Sequence, residues 1–409
     1  MRSFFKVKTA EDIFESLRDI KPLGTESVPI TGALNRVLAQ DIISDEDLPG
    51  FQRSTMDGYA LAAKDSFGAS ENLPTPLDIV GEVKMGEIPP CILHRGECAQ
   101  ISTGGMLPEG ADAVVMIEYT QKVEDGVVEI YRPVSPLENV ILPDDDVKRG
   151  QVVLYKGSLL RPQDLGILAG LGISVVDVFT RPKAAIISTG EEIVDISRKP
   201  EAGQMRDINS YTLGGLCITL GVEPIYLGII RDRFEDITLF IEKGLSQADV
   251  VLLSGGSSVG VKDFTLDAFL SLDGVEVVAH GVSISPGKPT IIARKENKTL
   301  WGLPGHPVSA MIIFNIFLRY LFGKLLGLTN LMEYNHAIEA ELDRNIESAT
   351  GREDYIRVKL SHVKDRWLAT PILGKSGLIS TMVEADGIVT IDMNTEGLYK
   401  GETVKVRLF

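Results

Sequence analysis

Cysteine is scarce in this chain of 409 residues: only Cys91, Cys98 and Cys217 occur. An odd, widely spaced set argues against a disulfide framework and fits a reducing compartment. Cys91, His94 and Cys98 cluster in sequence, but no fourth ligand accompanies them, so they read as loop and core thiols. Histidine is sparse too, with five scattered residues and no Gly-x-Ser-x-Gly elbow. Hydrolase-type nucleophilic catalysis therefore finds no support. A Walker phosphate loop is absent, because Gly287-Lys288 is followed by Pro289 where Ser or Thr would be needed. Long apolar runs are missing as well. Val308 to Phe322 is broken by Asn315 and Arg319 and reads as a buried helix too short to span a bilayer. Met1 to Lys6 lacks the sustained apolar stretch of a signal peptide, which leaves a cytoplasmic location as the expectation. Positive charge is in deficit, 41 basic against 57 acidic side chains for a net −16. That balance disfavours nucleic acid and acidic membranes as partners. It also requires any anionic substrate to be caught by local donors.

What is present suffices for several cores: 44% of residues are hydrophobic and 24% charged, the ordinary balance of a soluble protein. The length suggests two to four domains. Thr9 with Asp12 three residues on predicts a capped helix presenting Ile13, Phe14, Leu17 and Ile20 on one face. A second short helix is predicted from Thr31, carrying Leu34, Val37 and Leu38, with Pro49-Gly50 closing the run. From Phe51 to Pro143 short β-like runs alternate with Gly and Pro, and Glu124-Asp125-Gly126 between two such runs signals a hairpin. A helix is predicted from Pro162 to the Gly170–Gly172 region.

Residues 181–328 alternate buried strand runs with helical patterns, the signature of a mostly parallel, doubly wound sheet. Beyond Met332 the pattern is β again, and a small barrel is expected because closure removes exposed edges. The expected layout is a linker domain of residues 1–48 and 144–180, an inserted β-rich domain of 49–143, an α/β domain of 181–328 and a C-terminal β-barrel of 329–409.

Ligands of open α/β sheets bind beyond the carboxyl ends of the strands. The segments that follow the predicted strands are therefore the place to look for chemistry. They are Thr189-Gly190-Glu191-Glu192, Arg231-Asp232, Ser254 to Gly260 with Asp263, and Leu303 to Ser309 opening a helix. If the strands are parallel, all four loops share one edge. Glycine-rich backbone lets successive N–H groups approach an oxyanion, aided by a helix N-terminus. Glu192, Asp232 and Asp263 are candidate oxygen ligands for a hard cation such as Mg²⁺, with helix capping as the competing role for the two aspartates. Lys288, between Gly287 and Pro289, is either a held cation for an oxyanion or a surface lysine in a stiff turn.

These motifs resemble one family. Arg53-Ser54-Thr55-Met56-Asp57-Gly58-Tyr59-Ala60 is similar to the first signature of the molybdopterin molybdenumtransferases, which include the gephyrin E domain. Thr103-Gly104-Gly105, Pro108 to Val115 and Glu118 resemble the second. Ser188 to Glu192, Ser254 to Gly260 with Asp263, Pro286 to Pro289, Leu303 to Ser309 and Gly351-Arg352-Glu353-Asp354-Tyr355 follow in the family's order, so the resemblance covers almost the whole chain.

The resemblance implies an enzyme that inserts molybdate, or tungstate, into adenylylated molybdopterin and releases AMP. It implies four-domain subunits in a homodimer whose cleft lies between subunits. Transient contact with a molybdopterin adenylyltransferase is also implied. Carried over by position, Asp57, Thr103 and Glu118 come from the inserted domain, and Glu192, Asp232, Asp263 and Lys288 from the sheet edge. Ser254, Gly255, Gly256, Ser258, Gly260, Pro286, Gly287, Pro304, Gly305, Pro307, Ser309, Arg352 and Ser376 line the substrate and oxyanion pocket. An adenylyltransferase, or a non-catalytic scaffold, is the alternative. Three departures stand out: Ser285 where relatives often carry lysine, His306 in place of asparagine, and Lys375-Ser376-Gly377 in place of Gly-Ser-His. They bear on the choice between molybdate and tungstate.

Overall fold

The computed structural model describes residues 7–124, 126–255, 264–330 and 337–409. The chain divides into two compact units. One comprises residues 41–155 and 162–174; the other holds the N-terminal 40 residues, 156–161 and everything from Val175 onward.

Helix α1 (Ala10–Leu17) starts as its sequence requires. The Thr9 side chain accepts from the Asp12 amide while the Asp12 carboxylate accepts from the Thr9 amide. This reciprocal cap satisfies two donors that would otherwise face solvent. Ile13 and Leu17 are buried with Ile20, and Phe14 packs on the rings of Phe317 and Tyr320.

The second helix expected from Thr31 does not form. Only a 3₁₀ turn, Ile30–Gly32, is present. Beyond it the backbone is extended and bonds to residues 158–160: the Asn35 amide donates to Leu160, the Leu160 amide to Arg36 and the Leu38 amide to Ser158. Asn35 sits at φ 58, which breaks any helix at that point. Val37 and Leu38 are nevertheless buried, so their helix-like spacing reflects burial alone.

The smaller unit is built on a six-stranded sheet of β1 (Gly58–Leu61), β2 (Thr75–Val83), β3 (Glu97–Ile101), β4 (Ala113–Met116), β5 (Thr120–Glu124) and β6 (Val127–Ile130). The order is β4-β1-β3-β2-β6-β5, antiparallel except for β2 and β3. The expected hairpin is the pair β5–β6. Alternate residues feed two cores, one on each face, with Cys98 in one and Cys91 packed against the other. Burial pushes the Cys98 thiol up to about 12, in keeping with a core thiol. Helix α2 (Pro162–Gly170) completes the unit, beginning on proline as predicted.

In the larger unit the chain alternates strand and helix as its sequence predicts. The main sheet contains β7 (Lys183–Thr189), β8 (Glu223–Ile230), β9 (Val250–Ser254), β10 (Glu276–His280), β12 (Ile291–Lys295) and β13 (Lys298–Leu303). Between β10 and β12 lies the two-residue β11 (Ile284–Ser285). The order is β8-β7-β9-β13-β12-β10, with β8, β7, β9 and β13 parallel and β12 reversed. Helices α3 (Asn209–Thr219), α4 (Phe234–Gln247) and α5 (Phe264–Ser271) connect the strands, and two apolar cores form, one on each side.

The long helix α6 (Pro307–Leu325) runs further than the sequence suggested. Its 19 residues are apolar enough for a span by length and composition, but 78% of that window is buried inside the chain. It is a core helix. Phe314, Phe317 and Phe322 are fully enclosed, each contributing about 1.5–3 kcal/mol by leaving water. Asn315 does not break it: its amide donates to the Met311 carbonyl within the π turn Phe314–Leu318.

The C-terminal barrel is closed. Strands β14 (Ala337–Leu342), β15 (Glu353–Val363), β16 (Arg366–Pro371), β17 (Gly387–Ile391) and β18 (Thr403–Leu408) pair in the cycle β15-β16-β14-β18-β17-β15. β11 adds to the start of β15, Ser285 opposite Asp354.

Candidate active site

The registers decide whether the four loops meet. Ser188, Ser254 and Leu303 stand level across β7, β9 and β13, and Thr189 faces Ile230 of β8. The loops leaving those strands therefore share one edge. Because β12 runs the other way, the Pro286-Gly287-Lys288 turn that precedes it lies at the same edge. Of the predicted residues, Gly256, Ser258, Gly260 and Asp263 lie outside the described residues.

Under the rim is a buried hydroxyl cluster. Ser188 Oγ bonds Asp207 Oδ1 at 3.0 Å and lies 3.0 Å from Ser210 Oγ and 3.3 Å from Ser254 Oγ. Asp207 also accepts the Ser210 amide, tying the start of α3 to the sheet. Next to it, the Asn209 amide donates to the Gly305 carbonyl at 3.0 Å, joining α3 to the loop after β13. Two oxygens remain over. Thr189 Oγ1 and Asn209 Oδ1 are buried and have no hydrogen-bond partner among the described residues. An unmade bond of this kind costs about 1–3 kcal/mol. Its presence twice at a ligand-binding edge marks where a polar ligand group would be received.

The backbone here tolerates little. Gly255 has φ +101, its amide donates to Leu303, and an added Cβ would lie 2.0 Å from the Thr189 carbonyl oxygen. Gly287, at φ +127, is closed in by Ile284 and Ile313. Gly305 passes over the Cα of Gly255. Pro304 and Pro307 are buried on either side of it, and Ser309 is buried in the first turn of α6.

Charged groups surround this rim. Glu192 folds its carboxylate back over Gly190, and Asp232 follows the adjacent strand. Both offer hard oxygen donors of the kind a divalent cation prefers. No set of three His, Cys, Asp or Glu side chains converges as a metal site among the described residues, and Asp263 is not one of them. Lys288 is exposed, and its ammonium makes no ion pair among the described residues. Arg352 sits just before β15, beside the Ser285–Asp354 pairing, and its guanidinium bonds Asp354 at 3.1 Å. Ser376 is brought to the start of α6: its carbonyl accepts the Val308 amide and its hydroxyl lies 2.8 Å from His306 Nδ1. Two of the sequence's departures thus touch each other.

The smaller unit holds a second group. Asp57 Oδ1 accepts both the Thr103 amide, at 2.7 Å, and the Thr103 hydroxyl, at 3.1 Å. The Ile117 amide donates to the Asp57 carbonyl, which brings Glu118 to the same end of the sheet. Gly58 is obligatory there, since a Cβ would fall 1.9 Å from the Val115 oxygen.

Asp207 and Asn209 were not singled out from sequence, and Ser188 and Thr189 enter it only as members of the first strand-end segment and its motif. The signal available was modest: Asp207-Ile208-Asn209-Ser210 opens the helix after the first rim loop, a polar stretch where a capping role is the usual reading.

Comparison with known proteins decides the family. Models of the MoeA N-terminal region (domain I and II), a probable molybdopterin-binding domain and the MoeA C-terminal region (domain IV) match residues 6–172, 185–324 and 339–409. The molybdopterin molybdenumtransferase of Haemophilus influenzae is 34% identical, with 95% of each chain covered. That of Bacillus subtilis is 32% identical over 94% of this chain and 90% of the relative. The chain belongs to the molybdopterin molybdenumtransferase family. Solved members share its architecture: a molybdopterin biosynthesis MoeA protein from Pyrococcus horikoshii OT3 superposes with a TM-score of 0.86 at 33% identity, covering 99% of this chain and 100% of that one. The rim described above lies in the family's molybdopterin-binding segment, while Arg352 and Ser376 come from its C-terminal segment and Asp57, Thr103 and Glu118 from its N-terminal one.

Proposed function

We propose that the chain is a transferase of molybdenum cofactor biosynthesis that inserts molybdate into adenylylated molybdopterin and releases AMP. The observation that carries this reading is the pair of orphaned buried oxygens, Thr189 Oγ1 and Asn209 Oδ1, at the edge where the ends of four parallel strands lie level. Such a floor is built to receive hydrogen-bond donors of a heterocyclic substrate.

The chain's part is to bind and orient. The close-packed Gly255 and Gly305 backbone lets the phosphates approach, and the α6 N-terminus supplies the positive end of its dipole. Lys288 neutralises phosphate or molybdate charge, and Arg352, swung from Asp354, grips the oxyanion. Ser376, held by His306, adds a hydroxyl contact. The sulfurs that take up molybdenum belong to the substrate, so no cysteine of this chain is needed. Glu192 and Asp232, with Asp263, would hold a divalent cation such as Mg²⁺, whose chemistry would be to polarise the pyrophosphate bond. Holding both reactants in line supplies much of the rate enhancement.

We further infer that the chain acts as a cytoplasmic homodimer. Asp57, Thr103 and Glu118 of one copy then face the rim of the other, and an adenylyltransferase passes on its product in transient contact.

The test is anaerobic incubation of the purified chain with adenylylated molybdopterin, Mg²⁺ and either molybdate or tungstate, following AMP. Oxyanion-dependent AMP release supports the reading. Conversion of molybdopterin and ATP to the adenylylated form would instead make the chain an adenylyltransferase, and no reaction in either mixture would leave a scaffold.

A further inference from the structure

A buried cation of the C-terminal barrel has no part in the pocket described above. Arg357 is only 7% exposed, and no carboxylate lies within ion-pair distance of it among the described residues. Its Nη2 donates to the Gly374 carbonyl at 2.9 Å and reaches that of Ile372 at 3.5 Å. Nε and Nη1 are buried with no partner among the described residues. Burial pushes the guanidinium down.

What Arg357 holds is the stretch of chain that leaves β16 and carries Ser376. The Ile372 amide returns to the Arg357 carbonyl, so the stretch is tied to β15 by backbone and side chain together. Its other end is docked on α6. There the Ser376 carbonyl accepts the Val308 amide at 3.2 Å, and the Ser376 hydroxyl lies 2.8 Å from His306 Nδ1. The Val308 amide is one of the first-turn donors that a helix cannot satisfy by itself. Residues 372–376 are thus slung between two points, Arg357 on the barrel and the start of α6. A buried guanidinium is a costly tie, because an unpaired charge and two unmade donors oppose folding. A neutral amide would hold one carbonyl without that penalty. The gain is rigidity: a charge-assisted bond is about twice as strong as a neutral one, and the fork reaches two carbonyls at once. Stability given up for a stiffer segment points to work done by that segment.

We propose that Arg357 is a positioning residue for oxyanion capture, pinning residues 372–376 so that the Ser376 hydroxyl is presented beside the start of α6. It touches neither substrate and acts through Ser376 alone. The role rests on the reaction assigned to the rim, in which Ser376 contacts the oxyanion.

The test sets Arg357→Met, Arg357→Lys, Ser376→Ala and the double variant Arg357→Met/Ser376→Ala beside the parent, each as the full chain. Arg357→Met keeps the apolar stem, and its denaturation midpoint stays close to the parent's, because removal of an unpaired charge offsets the lost carbonyl bonds. Hydrogen exchange of the Val308 amide accelerates about tenfold in it. Its KM for molybdate rises about tenfold, while kcat and the KM for adenylylated molybdopterin stay within about twofold. Arg357→Lys keeps a charged donor and loses the fork, so both readouts fall between Arg357→Met and the parent. Should Arg357→Met fail to fold, Arg357→Lys carries the same two readouts. Ser376→Ala raises the KM for molybdate with Val308 exchange unchanged, since its carbonyl remains. The double variant is no worse than Ser376→Ala, the mark of two residues acting through one hydroxyl. Unchanged Val308 exchange in both Arg357 variants overturns the proposal, as do additive effects in the double variant. A lowered midpoint with kcat and both KM values worsening together would make Arg357 merely structural. If the parent releases no AMP while Arg357→Met still frees the Val308 amide, the reaction at the rim fails and the anchor stands.

Discussion

Gly255 lies so close against Thr189 that an added Cβ would sit 2.0 Å from the threonine's carbonyl oxygen. The contact joins the ends of the neighbouring parallel strands β7 and β9. Gly255→Ala must therefore move one strand end, in addition to straining a backbone at φ +101. A loss of about 2–3 kcal/mol is expected, read as a lower denaturation midpoint with unchanged slope. A stability equal to that of the parent would show that the rim is softer than its geometry implies.

Thr189→Val is expected to separate binding from folding. The hydroxyl it removes is buried without a partner among the described residues, so stability should hold or rise by up to about 1 kcal/mol. Affinity for adenylylated molybdopterin, measured by equilibrium titration, should fall about tenfold, the worth of one hydrogen bond to a charged or strongly polar group. A large drop in stability with unchanged affinity would assign the hydroxyl to the fold.

Asp57→Ala should loosen the Thr103 turn, because one carboxylate oxygen receives both its amide and its hydroxyl. Amide exchange at Thr103 is expected to accelerate, with turnover falling at least about tenfold. Asp57→Asn keeps an acceptor oxygen, so slow exchange should survive in it while turnover still falls. If both variants turn over like the parent, Asp57 is only a turn former.

Acid sensitivity has a defined contributor at the N-terminus. Hydrogen bonding to Arg294 holds the Asp19 carboxyl below its ordinary 3.8. A depressed carboxylate stabilises the fold in full above 3.8, and that contribution fades as pH falls through the lower folded value. Asp19 is largely exposed, so the effect is about 0.5 kcal/mol. Asp19→Asn should be less stable than the parent at pH 7 by about that amount. The two should converge near pH 2, followed by urea unfolding. A constant gap at all pH values would mean that the ion pair is not its source.

Much of the fold was legible because local and global preferences agreed. The Thr9–Asp12 cap, the proline start at Pro162 and the strand–helix alternation from Lys183 onward are each dictated within a few residues. The stretch from Thr31 was misread because Leu34, Val37 and Leu38 are spaced like a helix face, whereas partners more than a hundred residues away, at 158–160, bind that backbone in extended form. Of the site, the strand-end segments were legible, and bringing the strand ends level required only parallel strands. What could not be read was burial. That Thr189 Oγ1 and Asn209 Oδ1 lack partners, or that His306 meets Ser376 seventy positions away, depends on packing between distant segments.

The two-residue strand β11 has a mechanical consequence. It is hydrogen-bonded to the first residues of β15 and leads directly into the Pro286-Gly287-Lys288 turn. The barrel therefore cannot tilt away from the sheet without either tearing that short seam or dragging Lys288 along. Only a few backbone bonds therefore separate Arg352, next to that seam, from Lys288 on the rim, and a displacement of one is handed to the other.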